Sequence, residues 1–299
     1  MGDGASQKPQ DLVIMPGNPP PEGAETIWYE GKNGKRVRML YAPEPRTNDA
    51  KTRALAIVCP GRTEPVEKYF EVARELQAKG FAVAIFDWRG QGLSDRQGKN
   101  PMAGHVRNYG VYVDAMVRGL DRIAGRAPKK WVILAHSMGG TIALEALRTR
   151  RANVSAAAFS APMWGIPIWF FQRWYARIVR FFGFGGMLAR PPGPEETFEN
   201  NQLTHDEKRW QVYRKLIETE PKLGVGEPTI AWVVASLNVM RQFFEPGQID
   251  HLRTLPMLIA IARQYGVDPI HFGSMIVTNV SIGMAAPPIG YCLFVGMAI

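Results

Sequence analysis

Trp131-Val132-Ile133-Leu134-Ala135-His136-Ser137-Met138-Gly139-Gly140-Thr141 decides the fold. The apolar run ending at Ala135 suits a strand buried on both faces, and Gly139-Gly140-Thr141 opens a helix. Ser137 stands between them, with a small residue two positions away on either side. Small neighbours let the backbone take the strained strand-to-helix turn that exposes a serine hydroxyl, and the helix N-terminus favours negative charge beside it. Ala135 replaces the usual glycine and adds one methyl where strand and helix approach. By itself such a serine is as readily an ordinary turn residue; its surroundings decide.

Working outward, strand-like and helix-like segments alternate. Strands are expected at 36–41, 54–59, 82–86, 131–135, 155–160 and 255–260, and helices at 67–79, 109–123 and 139–149. This is α/β periodicity with a mostly parallel sheet. The alternation lapses for about 85 residues after Ser160, which places a helical cap over 161–250 between two parts of one core, 25–160 and 251–260. The first 24 residues, rich in Gly and Pro and lacking a basic start with an apolar centre, read as a flexible lead-in.

At 46% hydrophobic and 21% charged, 299 residues exclude a disordered chain. Two cysteines, Cys59 and Cys292, exclude a disulfide framework and a cysteine-built zinc site. The net charge of +9 favours anionic surfaces. It is unevenly placed: from residue 260 onward only Arg263 and Asp268 are charged, so the whole excess lies before residue 260.

Two further motifs follow strands. Pro60-Gly61-Arg62-Thr63-Glu64 forms a turn able to offer a backbone N–H to an oxyanion, paired with the N–H of Met138, and Asp87-Trp88-Arg89-Gly90-Gln91-Gly92-Leu93-Ser94 follows the next strand. With His136-Ser137-Met138-Gly139-Gly140, Ala161-Pro162-Met163 and Gly226-x-Pro228-Thr229-x-x-Trp232, these resemble α/β-hydrolases of the lysophospholipase and monoacylglycerol lipase group over about residues 25–259. The resemblance implies a serine ester hydrolase acting on lipid acyl esters through an acyl-enzyme. It makes Ser137 the nucleophile and the Arg62 and Met138 amides the oxyanion hole, with no cofactor or metal.

The same resemblance asks for an acid after the strand at 255–260 and a histidine some tens of residues later. Only Asp268 and His271 follow, three residues apart with no strand between them, which does not fit the chain order Ser, Asp, His. The acid and base are therefore left unassigned, and impaired activity is expected. His105, His136, His205 and His251 each have an ordinary structural explanation as loop, turn or helix-start residues.

From Phe272 to Ile299 no residue is charged. Residues 261–299, with Asn279, Gly283, Pro287-Pro288 and Gly290, resemble part of the large permease subunit of TRAP-type dicarboxylate transporters. As a helix, 272–284 would reach only about 20 Å against a hydrocarbon core of ~30 Å. Pro287-Pro288 then breaks it, giving an apolar helical hairpin whose short halves suit transporter folds. A join near residue 260, by fusion, frameshift or sequence assembly, is favoured over a native core element, and the hydrolase core would lack its C-terminal strands.

In the cap, Trp164 to Phe184 interleaves nine aromatics with Arg173, Arg177 and Arg180. These aromatics either line an acyl pocket and pack inward, the commoner arrangement, or insert into a lipid surface with arginines near phosphates. The expected partners are a lipid ester substrate and a membrane surface, and no nucleic acid, since no recognised module is present. The hydrolase part is expected in the cytoplasm, held at the membrane by the tail. The alternatives are an inactive lipid-binding or membrane-attached fusion protein, and a fragment of a dicarboxylate transporter.

Overall fold

The structure, a computed structural model, describes residues 12–45, 53–98, 100–193, 197–201, 204 and 206–260. Its apolar runs form one sheet from β1 (Glu25–Glu30), β2 (Arg36–Ala42), β3 (Leu55–Cys59), β4 (Ala82–Phe86), β5 (Trp131–His136), β6 (Ala156–Ser160) and β7 (Met257–Ala260). The spatial order is β1-β2-β4-β3-β5-β6-β7. β2 runs antiparallel to both neighbours, and every pairing from β4 to β7 is parallel. Parallel neighbours need crossover connections, and α1 (Phe70–Ala78), α2 (Gly110–Ile123) and α3 (Met138–Arg148) supply them. Between β6 and β7 the chain forms α4 (Phe170–Phe181), α5 (Glu207–Thr219) and α6 (Ile230–Phe243). This is the α/β-hydrolase architecture that the sequence led us to expect.

Side-chain alternation divides the core in two. Leu55, Ile57 and Cys59 of β3 and Ala82, Ala84 and Phe86 of β4 pack on one face against α2, α3 and part of α6. Ala56, Val58, Val83 and Ile85 pack on the other against Phe70, Val72, Ala73 and Leu76 of α1. Every residue of β3 and β4 is buried, as interior parallel strands covered on both faces require. Among the described residues α1 is the sole helix on the second face, and there Leu134 and Ala156 are only half-buried.

A buried ion network fastens the loops at the C-terminal ends of β3 and β4. Arg38 of β2 points into the second face with no solvent exposure. Its Nε donates to Asp87 Oδ2 at 2.7 Å, and Nη1 and Nη2 donate to Glu67 Oε1 and Oε2 at 2.7 and 2.8 Å. Both carboxylates are also fully buried. They spend their remaining lone pairs on backbone: Asp87 accepts from Val66 N at 2.9 Å and Leu93 N at 2.7 Å, and Glu67 accepts from Val13 N at 3.2 Å. Gly92 is required here, because a Cβ would lie 2.1 Å from the Asp87 carboxyl and its φ is +52°. Burial and the Asp87 charge push the Glu67 carboxyl upward against the pull of Arg38.

Two readings of the sequence change. The lead-in is not free from Leu12 onward: Val13 and Met15 are buried against Leu216 and Leu223 beneath the cap, and Asn18 Nδ2 donates to Glu67 O at 2.9 Å. Those ties come from side chains far away in sequence, which composition does not reveal. β1 also exists, paired with β2 along its full length, although the mixed run Glu-Thr-Ile-Trp-Tyr-Glu gave no buried-strand signal. The apolar tail, with Asp268, His271 and the expected hairpin, lies outside the described residues. Among the described residues no helix is long and apolar enough to cross a membrane.

Arg38→Met strands two buried carboxylates beside each other and is expected to lower the unfolding free energy by about 3–5 kcal/mol in urea denaturation. A loss below about 1 kcal/mol would contradict the clamp.

Candidate active site

The residues singled out at Ser137 converge at the C-terminal ends of β3 and β5. Ser137 sits between β5 and α3 with φ +50° and ψ −120°, a conformation that side-chain-bearing residues rarely hold. Ser137 N donates to Ser160 O at 3.2 Å, and its carbonyl accepts from Gly140 N and Met163 N, each at 2.9 Å. Thr63 after β3 and Ala161 after β6 also have positive φ, so backbone strain gathers where the parallel strands end. The sharpness of the turn depends on Gly139. A Cβ there would lie 2.0 Å from the Cys59 carbonyl oxygen, so α3 touches the backbone of β3.

The turn at 60–64 lies against this serine, since a Cβ at Gly61 would stand 3.2 Å from Ser137 Cβ. Glu64 organises it. Its Oε2 accepts from Gly61 N and from Tyr69 OH, each at 2.6 Å, and Oε1 accepts from Lys68 Nζ at 2.6 Å. Burial alone would raise the Glu64 carboxyl, but the charges of Lys68 and His136 and the hydrogen bonds from Lys68 and Tyr69 prevail and hold it at about 2. Thr63 N donates to Gln91 Oε1 at 2.6 Å, and Gln91 is buried over Met138 with Nε2 3.6 Å from its Sδ. Both neighbours of Arg62 thus have their amides bonded. The amides of Arg62 and Met138 have no protein acceptor among the described residues. Two free donors beside a half-buried hydroxyl are what an oxyanion-stabilising pair requires.

The Arg62 side chain reaches away into the cap. Nη1 donates to Gly226 O at 2.6 Å, and the guanidinium lies 6.0 Å from the Trp232 ring centroid. Tyr213 OH of α5 donates to Thr63 O at 3.0 Å, so the cap is fastened directly to the turn. The sequence motif contained Glu64, but its anchoring of Gly61 was not read. The tight Gly-x-x-Glu spacing was the available signal.

No base meets the serine among the described residues, and its hydroxyl has no hydrogen-bond partner there. His136 turns aside, with Nδ1 3.0 Å from Ser160 O and Nε2 3.8 Å from Glu64 Oε1. His105 is 3.0 Å from Thr229 Oγ1, and His251 Nε2 is 3.1 Å from Leu147 O. His205, Asp268 and His271 lie outside the described residues, as do Asn279 and the rest of the tail. Among the described residues no group of His, Cys, Asp and Glu could hold a metal ion.

A serine on a strained strand-to-helix turn, within this strand order, defines an α/β-hydrolase scaffold. The chain belongs to the serine aminopeptidase S33 family (Hydrolase_4), which it matches over residues 50–267. Lysophospholipase L2 of Escherichia coli K12 is 36% identical over 214 residues, which cover 67% of this chain and 61% of that protein. The chain thus spans less than two thirds of that curated relative. The crystal structure of a soluble variant of monoglyceride lipase from Saccharomyces cerevisiae, in complex with a substrate analog, superimposes with a TM-score of 0.57 at 16% identity. It covers 79% of this chain and 75% of that one, and bears on the fold alone. Residues 246–299 match the DctM component of tripartite ATP-independent periplasmic transporters. The C4-dicarboxylate TRAP transporter large permease protein DctM of Rhodobacter capsulatus is 46% identical over 57 residues, 19% of this chain and 13% of that permease.

Two outcomes follow. Gly139→Ala is expected to cost about 3 kcal/mol or more, because backbone must move, whereas Gly125→Ala, with nothing within 4 Å of the added Cβ, stays within about 0.5 kcal/mol. Thermal melts of the two variants compare them directly. Glu64, depressed in the folded state to about 2, contributes stability that is present above the ordinary carboxylate value and lost as pH falls from about 4.5 towards 2. Glu64→Gln should flatten that acid limb in a melting-temperature series; an unchanged limb would place the acid sensitivity elsewhere.

Proposed function

We propose that this chain is a serine ester hydrolase for lipid acyl esters, of the lysophospholipid or monoacylglycerol kind, working through an acyl-enzyme on Ser137. The observation that carries this reading is the pair of free amides, Arg62 and Met138, beside a serine held at positive φ. Ser137 Oγ attacks the ester carbonyl, the two N–H groups donate to the developing oxyanion, the alcohol leaves with the serine's proton, and water releases the fatty acid. The names of the relatives, lysophospholipase and monoglyceride lipase, support the substrate class.

The serine needs a base to lose its proton, and Asp268 and His271 do not follow the expected chain order. Turnover is accordingly weak in our reading, since removing the base of a serine triad lowers kcat by roughly 10⁶. A second reading, an inactive lipid-binding protein that keeps the turn and cap, is favoured by the orientation of His136 towards Ser160 O and away from a proton-accepting position. A fragment of a dicarboxylate transporter is a third and lesser alternative, resting on the match at 246–299. In each case we place the hydrolase part in the cytoplasm, at the membrane surface through the tail.

Fluorophosphonate labelling of the full chain, with Ser137→Ala as control, tests the first reading against the second. Slow, Ser137-dependent labelling with little turnover of a short-chain ester is expected. Rapid Ser137-dependent turnover would overturn the impairment, and no labelling at all would leave the inactive lipid binder.

A further inference from the structure

In the cap, α4 and α5 each bury a single residue, whereas most of α6 is buried. In α4 this is Ala176, packing with Val179 on Ile230 and Val234 of α6. Because contact is made through that narrow stripe, the aromatics do not line an interior pocket. Phe170, Phe171, Trp174, Phe181 and Phe182 are each more than half exposed. Where this helix ends, a cavity of about 280 Å³ opens between the loop at 105–107, the turn after α4 and the start of α6. His105, Arg107, Arg180, Gly183, Gly185 and Gly186 form most of its wall, and no carboxylate is among the lining residues.

The charge balance of this cavity is one-sided. Arg180 Nη2 donates to the Arg107 carbonyl at 3.0 Å, which brings the two basic residues together. The Arg107 guanidinium has no ion-pair partner among the described residues, and Arg180 has no carboxylate partner there. His105 is held on Thr229 Oγ1 at 3.0 Å. Burial, with the charges of Arg107 and Arg180, keeps its imidazole below the ordinary value. Two guanidinium groups around a glycine-walled hollow, without an acid, suit a tetrahedral oxyanion, for which the Arg fork is the best-matched side chain.

We propose that the cavity bounded by Arg107, Arg180 and His105 binds the phosphate of a phospholipid headgroup. The neighbouring Phe181, Phe182 and Phe184, all exposed, decide for a headgroup over free phosphate: they can enter the acyl layer beside a phosphate held in the cavity. The proposal rests on the lipid reading of the function, but not on the chemistry at Ser137. The cavity would hold a phospholipid surface, or a lysophospholipid, against the cap while the ester is presented elsewhere.

The probes are water-soluble, so that the apolar tail does not dominate binding: glycerophosphoglycerol as the deacylated headgroup, inorganic phosphate, and glycerol, each titrated calorimetrically into the full chain in a non-ionic detergent. Glycerophosphoglycerol should bind saturably and more tightly than inorganic phosphate, and glycerol should not bind. Arg107→Gln should weaken glycerophosphoglycerol by about tenfold or more, the loss of a charge-assisted hydrogen bond. Arg177→Gln removes the same charge from α4 outside the cavity and should change binding by less than about twofold. Equal losses in the two variants would show diffuse attraction and overturn the site, as would no binding of the headgroup. Tighter binding of inorganic phosphate would overturn the lipid source. Arg107 is exposed, and an unchanged melting temperature of its variant confirms that folding is intact. Ser137 labelling is read separately, so the hydrolase reading and the cavity can fail independently.

Discussion

The position of the site depends on a positive charge buried where no water reaches. Arg38 leaves β2 into the sheet's second face and must satisfy its guanidinium entirely with protein. An unpaired charge there would cost several kcal/mol, so both carboxylates and the loops that carry them are held in place. Glu67 lies in the stretch leading into α1, and Asp87 directly follows β4. Through Val66, Leu93 and Val13 the same carboxylates fix the backbone of three separate segments. The turn at 60–64 lies between β3 and one anchor, Glu67, and its own Glu64 completes the fixation from within.

Much of the fold was legible in the sequence, and the reason is simple. Interior parallel strands are continuous apolar runs, so β3, β4, β5 and β6 are found within a residue of their expected bounds. β7 is shorter, starting at Met257, because Pro256 cannot donate to a ladder. β1 escaped notice because it is a half-buried edge strand with a glutamate at either end. The Ser137 turn was legible because its geometry demands local residue types at fixed spacing. The Arg38 network was not, since its members are separated by tens of residues and each looks like an ordinary surface charge. Nor was the fate of α4, whose periodicity fits inward or outward aromatics equally; only the small contact at Ala176 and Val179 settles it.

Two family matches meet on one stretch. The hydrolase match runs to residue 267 and the permease match starts at residue 246, so both include β7. A buried parallel strand and a membrane segment impose the same first demand, an uncharged apolar run, and Met257-Leu258-Ile259-Ala260 meets it for either. Where the two matches overlap, one apolar strand meets the first demand of both.

The strand order also has a consequence for how the chain is made. β1, β2, β4 and β3 are contiguous in the sheet, and with the Arg38 clamp they are complete by residue 95. β5, β6 and β7 then join one after another at the same growing edge. During synthesis from the N-terminus, this half-sheet and its ion network can close before the Ser137 turn leaves the ribosome, and each later strand finds its template already standing. Among the described residues β7 is the last strand laid down, so a change confined to it leaves the earlier assembly steps as they were.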